Sequence, residues 1–399
     1  MFRKHALAVV VASLGTVAQA ATLEELATQV QAQQAQIEAL TAAVEKAPAG
    51  KTAADALSRT TLGGYGEAHF YGFENAKDQY DAYRFVLYVG HQFSDKVRLQ
   101  SELEVEHGLV ADTDVKTCTV SGATATCNTS PKPGELELEQ MFIEWDYFGQ
   151  QKLSVGQILV PVGFLNETHE PDTFYGAKRN PVESNIIPTT WWEGGIKASG
   201  EIAPGLSYDA FVSTGLTGVT SSSAAIRNGR QKGAKAVAED LAYTTRLRYT
   251  GVAGLDVGVA WQRQTDMAQG ALAGKDIRGD LLEAHIGYAH GPLSLRTLWA
   301  KWNITGLSTG AKDAEQEGFY VEAGYKVVEK LGLFVRNSQW DNAADDTTHS
   351  KKKQWNYGAN FWLTPRTVFK LDFQEQEDRT VAAGSPEEDG FALGVGYSF

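Results

Sequence analysis

The stretch Lys96–Glu106, with the sequence KVRLQSELEVE, contains the pattern that decides the fold. From Val97 on, mostly apolar side chains alternate with polar or charged ones. One face carries Val97, Leu99, Ser101, Leu103 and Val105, and the other carries Arg98, Gln100, Glu102, Glu104 and Glu106. Because successive side chains of a β-strand point to opposite faces, this period of two predicts a strand with one fully polar face.

The same alternation recurs along residues 60–399. It predicts sixteen strands, which begin near Thr61, Ala82, Lys96, Glu135, Lys152, Trp191, Leu206, Leu241, Leu255, Leu281, Leu293, Gly318, Leu331, Gln354, Arg366 and Gly390. Tight turns such as 93–96 alternate with long connections such as 161–190, which is the asymmetry of outer-membrane barrels. An even strand number also suits a barrel made from one chain. The sequence therefore predicts an all-β fold, a 16-stranded antiparallel transmembrane β-barrel.

One irregularity is expected in the fourth strand. Leu136 and Leu138 share one parity, whereas Met141, Ile143 and Trp145 take the other. Such a change of face indicates either a β-bulge or a misplaced strand boundary.

The first twenty residues are typical of an export signal. Arg3 and Lys4 precede a short apolar stretch, and the residues 18–20, AQA, suit cleavage by signal peptidase. Without this signal peptide the chain has 34 Lys and Arg against 49 Asp and Glu, a net charge of −15, which argues against nucleic acid as a partner. Because no apolar run of about 18 residues follows, a helical membrane protein is excluded.

Residues 21–47 show a different period. Apolar residues spaced alternately by three and four form a heptad seam, interrupted by one polar residue: Leu23, Leu26, Val30, Gln33, Ile37, Leu40 and Val44. This seam predicts an N-terminal periplasmic coiled-coil helix, and therefore an oligomer, because an isolated helix of this length is marginal in water. An amphipathic helix that packs on its own domain is the alternative. Residues 48–59 form a linker, and the barrel occupies residues 60–399.

The two cysteines, Cys118 and Cys127, lie nine positions apart in a stretch rich in Thr, Ser, Gly and Asn. An exported protein meets an oxidising environment, so we expect a disulfide that closes an external loop. Metal ligation is the weaker alternative because no pair of histidines accompanies them.

Several stretches carry a resemblance to a known family. The longest is VPVGFLNETHEP at 160–171, continued by FYG at 174–176, RNPVE at 179–183 and IPTTWWE at 187–193, and a second is IRNGRQK at 226–232. With the signal peptide, the short coiled coil, the Gly-rich first strand and the terminal Phe399, they resemble the phosphate-selective porin O and P family. The resemblance implies a trimeric 16-stranded channel with a loop that folds inward after the fifth strand. The last strand is also similar to those that the barrel assembly machinery recognises.

The candidate pore residues divide by charge. The acidic set on the third and fourth strands is Glu102, Glu104, Glu106, Glu137 and Glu139, and the basic set in the long third and fourth connections is Lys178, Arg179, Arg227, Arg230, Lys232 and Lys235. A column of lumenal carboxylates repels phosphate and attracts cations, so these residues predict a weak cation preference where the resemblance implies phosphate or other anions. The alternative for the basic set is an ordinary solvated loop. Further cations on lumenal faces are expected to pair across strands: Arg246, Arg248, Arg296, Arg336 and Lys370.

These patterns predict a porin of the Gram-negative outer membrane, a passive channel for small hydrophilic solutes and ions. Its expected partners are outer-membrane lipid, further copies of itself in a homotrimer and the solutes, without a cofactor or metal. An enzyme is not expected, because His169-Glu170 lacks the second histidine of a helical zinc motif and no serine elbow is present. The alternatives are a plugged structural or adhesin barrel at the cell surface and an outer-membrane hydrolase.

The heptad seam gives a first test. Replacing Leu26, Ile37 and Leu40 with Asp places charges in an apolar seam, so association should weaken by several kcal/mol in total. The measurement is the heat resistance of the oligomer in detergent, and unchanged resistance would contradict the seam.

Overall fold

The computed structural model describes residues 58–108, 114–121, 124–131, 134–220, 223–308, 314–345, 350–378 and 389–399. The predicted signal peptide, the coiled coil and the linker up to residue 57 lie outside these described residues, so they stay predictions. In the described part of the chain, no helix is long and apolar enough to cross a membrane.

Twenty strands are described in chain order. They are β1 (Thr60–Phe73), β2 (Gln79–Ser94), β3 (Val97–Glu106), β4 (Asp114–Ser121), β5 (Thr124–Pro131), β6 (Leu136–Phe148), β7 (Gln151–Leu159), β8 (Trp192–Ala203), β9 (Leu206–Thr214), β10 (Val219–Thr220), β11 (Ser223–Ala224), β12 (Leu241–Tyr249), β13 (Leu255–Gln264), β14 (Arg278–His290), β15 (Leu293–Thr305), β16 (Glu315–Val328), β17 (Leu331–Asp341), β18 (Lys352–Thr364), β19 (Thr367–Asp378) and β20 (Gly390–Ser398). One short helix, α1 (Val182–Asn185), and a 3-10 turn (Arg227–Gly229) lie in connections.

Sixteen of these strands close into an antiparallel barrel, which confirms the predicted architecture. The remaining four form two small hairpins, β4–β5 and β10–β11, within long connections. Every predicted strand start falls within three residues of an observed one. The largest differences are at Gln79, Arg278 and Glu315, where pairing begins three residues before the alternating apolar face.

The two ends of the barrel differ, as the turn signals predicted. At one end the connections are two to five residues long, for example 95–96 and 250–254, whereas at the other they reach 32 residues, at 160–191. Along each strand the outward side chains are apolar and exposed, as at Leu103 and Leu247, while inward neighbours such as Glu104 are buried. The apolar side chains of this exterior suit contact with hydrocarbon. The backbone polar groups need no solvent there, because a closed barrel pairs them between strands.

The predicted irregularity is a β-bulge in β6. Glu102 pairs with Gln140 and Leu103 pairs with Leu138, so Glu139 is the extra residue. Leu138 is exposed, whereas Glu139 is buried and Gln140 half-buried. The bulge therefore turns one additional carboxylate towards the interior of the barrel.

The last residue closes the barrel against the first strand. The backbone of Phe399 exchanges hydrogen bonds of 3.0 and 2.9 Å with Gly64, and its exposed ring stacks on Phe85 at 6.2 Å. A Cβ at Gly64 would lie 2.1 Å from the Val86 carbonyl oxygen, so this close approach requires glycine. The Gly-rich first strand thus serves the closure of the barrel.

The hairpin β4–β5 yields a test of the disulfide. Cys118 and Cys127 are register partners on its two strands. Opposite residues of an antiparallel pair have Cα atoms about 4.5–5.5 Å apart, which a disulfide spans. We therefore propose that the bond forms and contributes roughly 2–3 kcal/mol by constraining the unfolded loop. Mass analysis after alkylation of the unfolded, unreduced protein should find no free thiol, and two alkylated cysteines would contradict the proposal.

Candidate pore constriction

The inner loop, residues 160–191 between β7 and β8, folds into the barrel lumen. Side chains of the wall donate hydrogen bonds to its backbone: Lys370 Nζ to Phe174 O (3.1 Å) and Gly176 O (2.8 Å), Asn360 Nδ2 to Phe174 O (3.0 Å), and Trp302 Nε1 to Ile186 O (2.9 Å). These donors belong to β15, β18 and β19, which are far from the loop's own strands in the barrel order. The loop therefore crosses the lumen.

Apolar packing holds the second half of the inner loop against one side of the barrel. Its buried residues Val182, Ile186 and Ile187 join a cluster with inward-facing Leu298 and Trp302 of β15. Burying such side chains stabilises the loop by about 1.5–3 kcal/mol each. This side of the lumen is thus filled by a packed core.

Glu183 of α1 fixes the loop's shape through four hydrogen bonds. Its Oε1 accepts from the backbone N–H groups of Phe164 and Leu165, both at 2.7 Å. Its Oε2 accepts from Asn180 Nδ2 at 2.8 Å and from Tyr320 Oη at 3.0 Å. A fully buried carboxylate is tolerated here because every bond assists its charge.

Asn166 ties the two ends of the inner loop together. Its Nδ2 donates to the carbonyl oxygens of Val160 (2.7 Å) and Trp191 (2.8 Å), and its Oδ1 accepts from the Trp191 N–H at 2.7 Å. Sequence reasoning quoted Asn166 and Glu183 within the family-like stretches but assigned no role to either. Most of their partners lie 18 or more residues away in the chain, so a local pattern could not reveal the network.

The bracing loop, residues 215–240 between β9 and β12, donates hydrogen bonds to the backbone of the inner loop. Arg227 Nη1 donates to the carbonyl oxygens of Ser184 and Thr189, both at 2.8 Å, and Arg230 donates to that of Thr190. Burial, with the nearby Arg230 charge, lowers the pKa of Arg227 to about 10, so it stays protonated at neutral pH.

The other two cations of the bracing loop do not reach the inner loop. Lys232 pairs with Glu135 at 2.7 Å and with Glu137, so it ties the bracing loop to β6. Lys235 lies exposed at the surface. Of the four bracing-loop cations predicted at the constriction, Arg227 and Arg230 therefore contact the inner loop.

The acidic set points inward, and its pore-lining role stays a prediction. Glu102, Glu104 and Glu139 are buried, while Glu106 and Glu137 are half-buried. Period two reveals which face a side chain takes but not what covers that face. Here His169 of the inner loop lies against Glu102 and Glu139, so these two carboxylates are shielded from the lumen.

Two basic groups that sequence reasoning did not assign contact these carboxylates. Arg84 of β2 lies 3.1 Å from Glu104, and His169 of the inner loop lies 3.4 Å from Glu102 and 3.5 Å from Glu139. Burial lowers the pKa of His169, but the two glutamates raise it by more, to about 9. Arg84 had a usable signal, since its inward parity sets it opposite Glu106 and diagonal to Glu104 in the next strand.

Two cavities flank the inner loop, and Phe174 lines both. The loop-end cavity, about 690 Å³, is lined by residues that include Glu67, Asp81, Lys178, Arg179, Arg227 and Asp378. The turn-end cavity, about 650 Å³, is lined by residues that include Tyr175, Pro292, Arg296, Lys326, Lys330 and Trp362. The open space thus lies on both sides of one loop segment, which marks that segment as the candidate constriction.

The loop-end cavity carries charges of both signs. Glu67 pairs with Arg84 (3.0 Å) and Asp378 with Lys352 (2.8 Å), while Asp81 contacts the ring of His107 (3.0 Å). Lys178 Nζ lies 4.4 Å from the centre of the Phe73 ring. Within the described residues, Arg179 Nε and Nη2 are buried and donate no hydrogen bond. A guanidinium with unused donors favours an anion beside it.

Cations on the barrel wall pair across strands, as predicted. The pairs are Arg246 with Asp209 (2.7 Å), Arg248 with Asp256 (2.7 Å) and Arg336 with Glu322 (3.0 Å). Arg296 and Lys370 instead donate to inner-loop carbonyls. These side chains therefore stabilise the wall and the loop.

Known proteins share this architecture. Residues 183–381, just under half of the chain, match the family model of Gram-negative porins. An uncharacterised protein of Aquifex aeolicus (strain VF5) is 25% identical over 367 residues, covering 83% of this chain and 78% of that protein. OmpF of Salmonella typhi superposes with a TM-score of 0.57 at 11% identity, covering 85% of this chain and 97% of that chain. An anion-selective porin from Comamonas acidovorans gives 0.56 at 14% identity, covering 85% and 99%.

The barrel and the family match place the protein in the bacterial outer membrane. They support an outer-membrane porin channel and favour a channel over an enzyme. Since the match is to Gram-negative porins in general, the resemblance to the phosphate-selective porin O and P family stays a prediction.

The Glu183 network gives a test of how the inner loop is held. Glu183→Ala leaves two backbone N–H groups and the Tyr320 hydroxyl without their acceptor, each at a cost of about 1–3 kcal/mol. Hydrogen exchange in residues 160–191 should therefore rise at least about tenfold. Glu201→Ala is the matched control, because Glu201 accepts a backbone N–H, that of Gly205, in a tight turn. Equal exchange in both variants would contradict the role of Glu183.

Proposed function

We propose that this protein is a general-diffusion porin that passes small hydrophilic solutes and ions between the inner loop and the barrel wall. The supporting observation is the pair of cavities, of about 690 and 650 Å³, on the two sides of the loop segment at Phe174. The second half of the inner loop packs against β14, β15 and β16, whereas the loop-end cavity borders β1, β2, β18 and β19. A rigid loop on one side and open space on the other suit a channel of fixed width.

We further propose a weak preference for anions. Lys178, Arg179 and Arg227 line the loop-end cavity, where Glu67 and Asp378 have basic partners. Three of the glutamates that predicted cation preference, Glu102, Glu104 and Glu139, are buried, so their charge acts on a solute through packed protein. Charges at the cavity wall act more strongly, because they lie well within a Debye length of about 8 Å at physiological salt.

The assembly is also a proposal. The resemblance to the phosphate-selective family and the heptad seam both favour a homotrimer with outer-membrane lipid around it. The aromatic residue Phe399, at the end of β20, supports recognition of the last strand by the barrel assembly machinery.

Selectivity is testable with two loop residues. Replacing Lys178 and Arg179 together with Gln removes two positive charges from the loop-end cavity, so the chloride-to-potassium permeability ratio should fall about twofold or more. Reversal potentials in a potassium chloride gradient measure this ratio. The matched control replaces Lys77 and Lys235, which are exposed on other loops, and should leave the ratio unchanged.

Two outcomes would contradict these proposals separately. A wild-type channel that prefers potassium would remove the anion preference. A folded protein without ohmic current would remove the porin and favour the plugged barrel.

A further inference from the structure

Three potential metal ligands from three separate elements meet at one buried point. They are Glu102 of β3, Glu139 of the β6 bulge and His169 of the inner loop, with exposed fractions of 1%, 0% and 2%. One ligand atom from each lies within 4.8 Å of the other two. Two of the ligands therefore belong to the barrel wall and one to the loop.

The imidazole of His169 is oriented as in a metal ligand. Its Nδ1 lies 3.2 Å from the carbonyl oxygen of Asn166. Because a carbonyl oxygen only accepts, Nδ1 must carry the proton of this hydrogen bond. The other nitrogen, Nε2, then faces the two carboxylates. Metal-binding histidines commonly donate their second nitrogen to a carbonyl in this way, which fixes the ring.

The spacing of the three groups exceeds that of direct hydrogen bonds. His169 Nε2 lies 3.4 Å from Glu102 Oε1 and 3.5 Å from Glu139 Oε2. Ligands at about 2.1 Å from a tetrahedral ion are about 3.4 Å apart, and the two distances from His169 match this spacing. Among the described residues, no hydrogen bond reaches Nε2, Glu102 Oε1 or either oxygen of Glu139. The remaining oxygen of Glu102 accepts from Gln140 at 2.5 Å, which orients that carboxylate.

Arg179 acts electrostatically on the cluster, but no guanidinium donates a hydrogen bond to Glu102 or Glu139 in the described residues. Two buried carboxylates are costly unless they are paired or bind a metal. The neighbouring guanidinium of Arg84 is engaged by Glu67 at 3.0 Å and Glu104 at 3.1 Å. An imidazole with carboxylates suits first-row transition ions, whereas Mg²⁺ and Ca²⁺ prefer oxygen ligands alone.

We propose that Glu102, Glu139 and His169 bind one divalent transition-metal ion, of the chemistry of Zn²⁺, that ties the inner loop to the barrel wall. The ion replaces the proton that the two carboxylates otherwise hold on His169. Because the site is buried, loading requires that the loop open or that the metal be present while the protein folds. The site acts on the loop and takes part in no reaction.

The test uses the full-length protein, refolded in detergent at pH 7.5 with Zn²⁺ and then dialysed. We expect about one zinc per chain by elemental mass spectrometry and a higher unfolding temperature than after refolding with a chelator. His169→Gln and Glu139→Gln should each lower the zinc affinity at least about tenfold. His285→Gln is the matched control, since His285 is also buried and lies 2.7 Å from Glu283, yet it should retain the zinc.

Several results would overturn the proposal. The first is wild-type protein without stoichiometric zinc, in which case His169 is only a protonated partner of the glutamates. The second is binding of Ca²⁺ as tight as that of Zn²⁺, which excludes the imidazole as a ligand. The third is zinc retained by His169→Gln. Where a variant does not refold, judged by its heat-dependent gel migration, the wild-type measurements decide. Zinc content is independent of conductance, so failure here and failure of the porin function are distinguishable.

Discussion

The rest of the structure depends on the pairing of backbone polar groups inside a bilayer. Hydrocarbon offers no partner to an N–H or C=O group, so a strand spans it only within a closed sheet. The pairing of β20 with β1 completes that closure from Gly390 to Ser398. Closure also forces one face of each strand outward into lipid and the other inward, and this produces the period of two in the sequence. Within the membrane, the polar side chains of the strands are therefore confined to the barrel lumen.

The inner loop shows how an irregular segment is accommodated in that space. Its backbone groups need partners there too, and the wall supplies them through Lys370, Asn360 and Trp302. Glu183 and Asn166 satisfy the loop's remaining internal donors and acceptors, and apolar residues pack the loop against β15. The loop thus behaves as a small folded unit inside the barrel, rigid on one side and bordered by open space on the other.

The sequence could predict features set by neighbouring residues, such as strands and turns, but not which lumenal side chains the inner loop buries. The strands, the alternation of short and long connections and the bulge at Glu139 all follow from parity and turn residues, which act over a few positions. Parity also showed that Glu102 and Glu104 face inward. It could not show that His169 lies over them, because the path of the inner loop is set by contacts between residues far apart in the chain. The role of Glu183 was missed for the same reason, whereas Arg84 lay within reach of a parity argument on neighbouring strands.

The buried carboxylates explain how an acidic wall is compatible with the anion preference that we propose. Three buried glutamates on β3 and β6 would give the lumen a strong negative potential if they were bare. Arg84 pairs with Glu104 as well as Glu67, and His169 lies against Glu102 and Glu139, where the divalent ion that we propose would balance both charges. Arg179, with buried donors that no hydrogen bond uses in the described residues, lines the loop-end cavity beside them. The contact of His169 with Glu102 and Glu139 also holds the inner loop against the wall. The same ion pairs therefore affect both the position of the loop and the electrostatic field in the lumen.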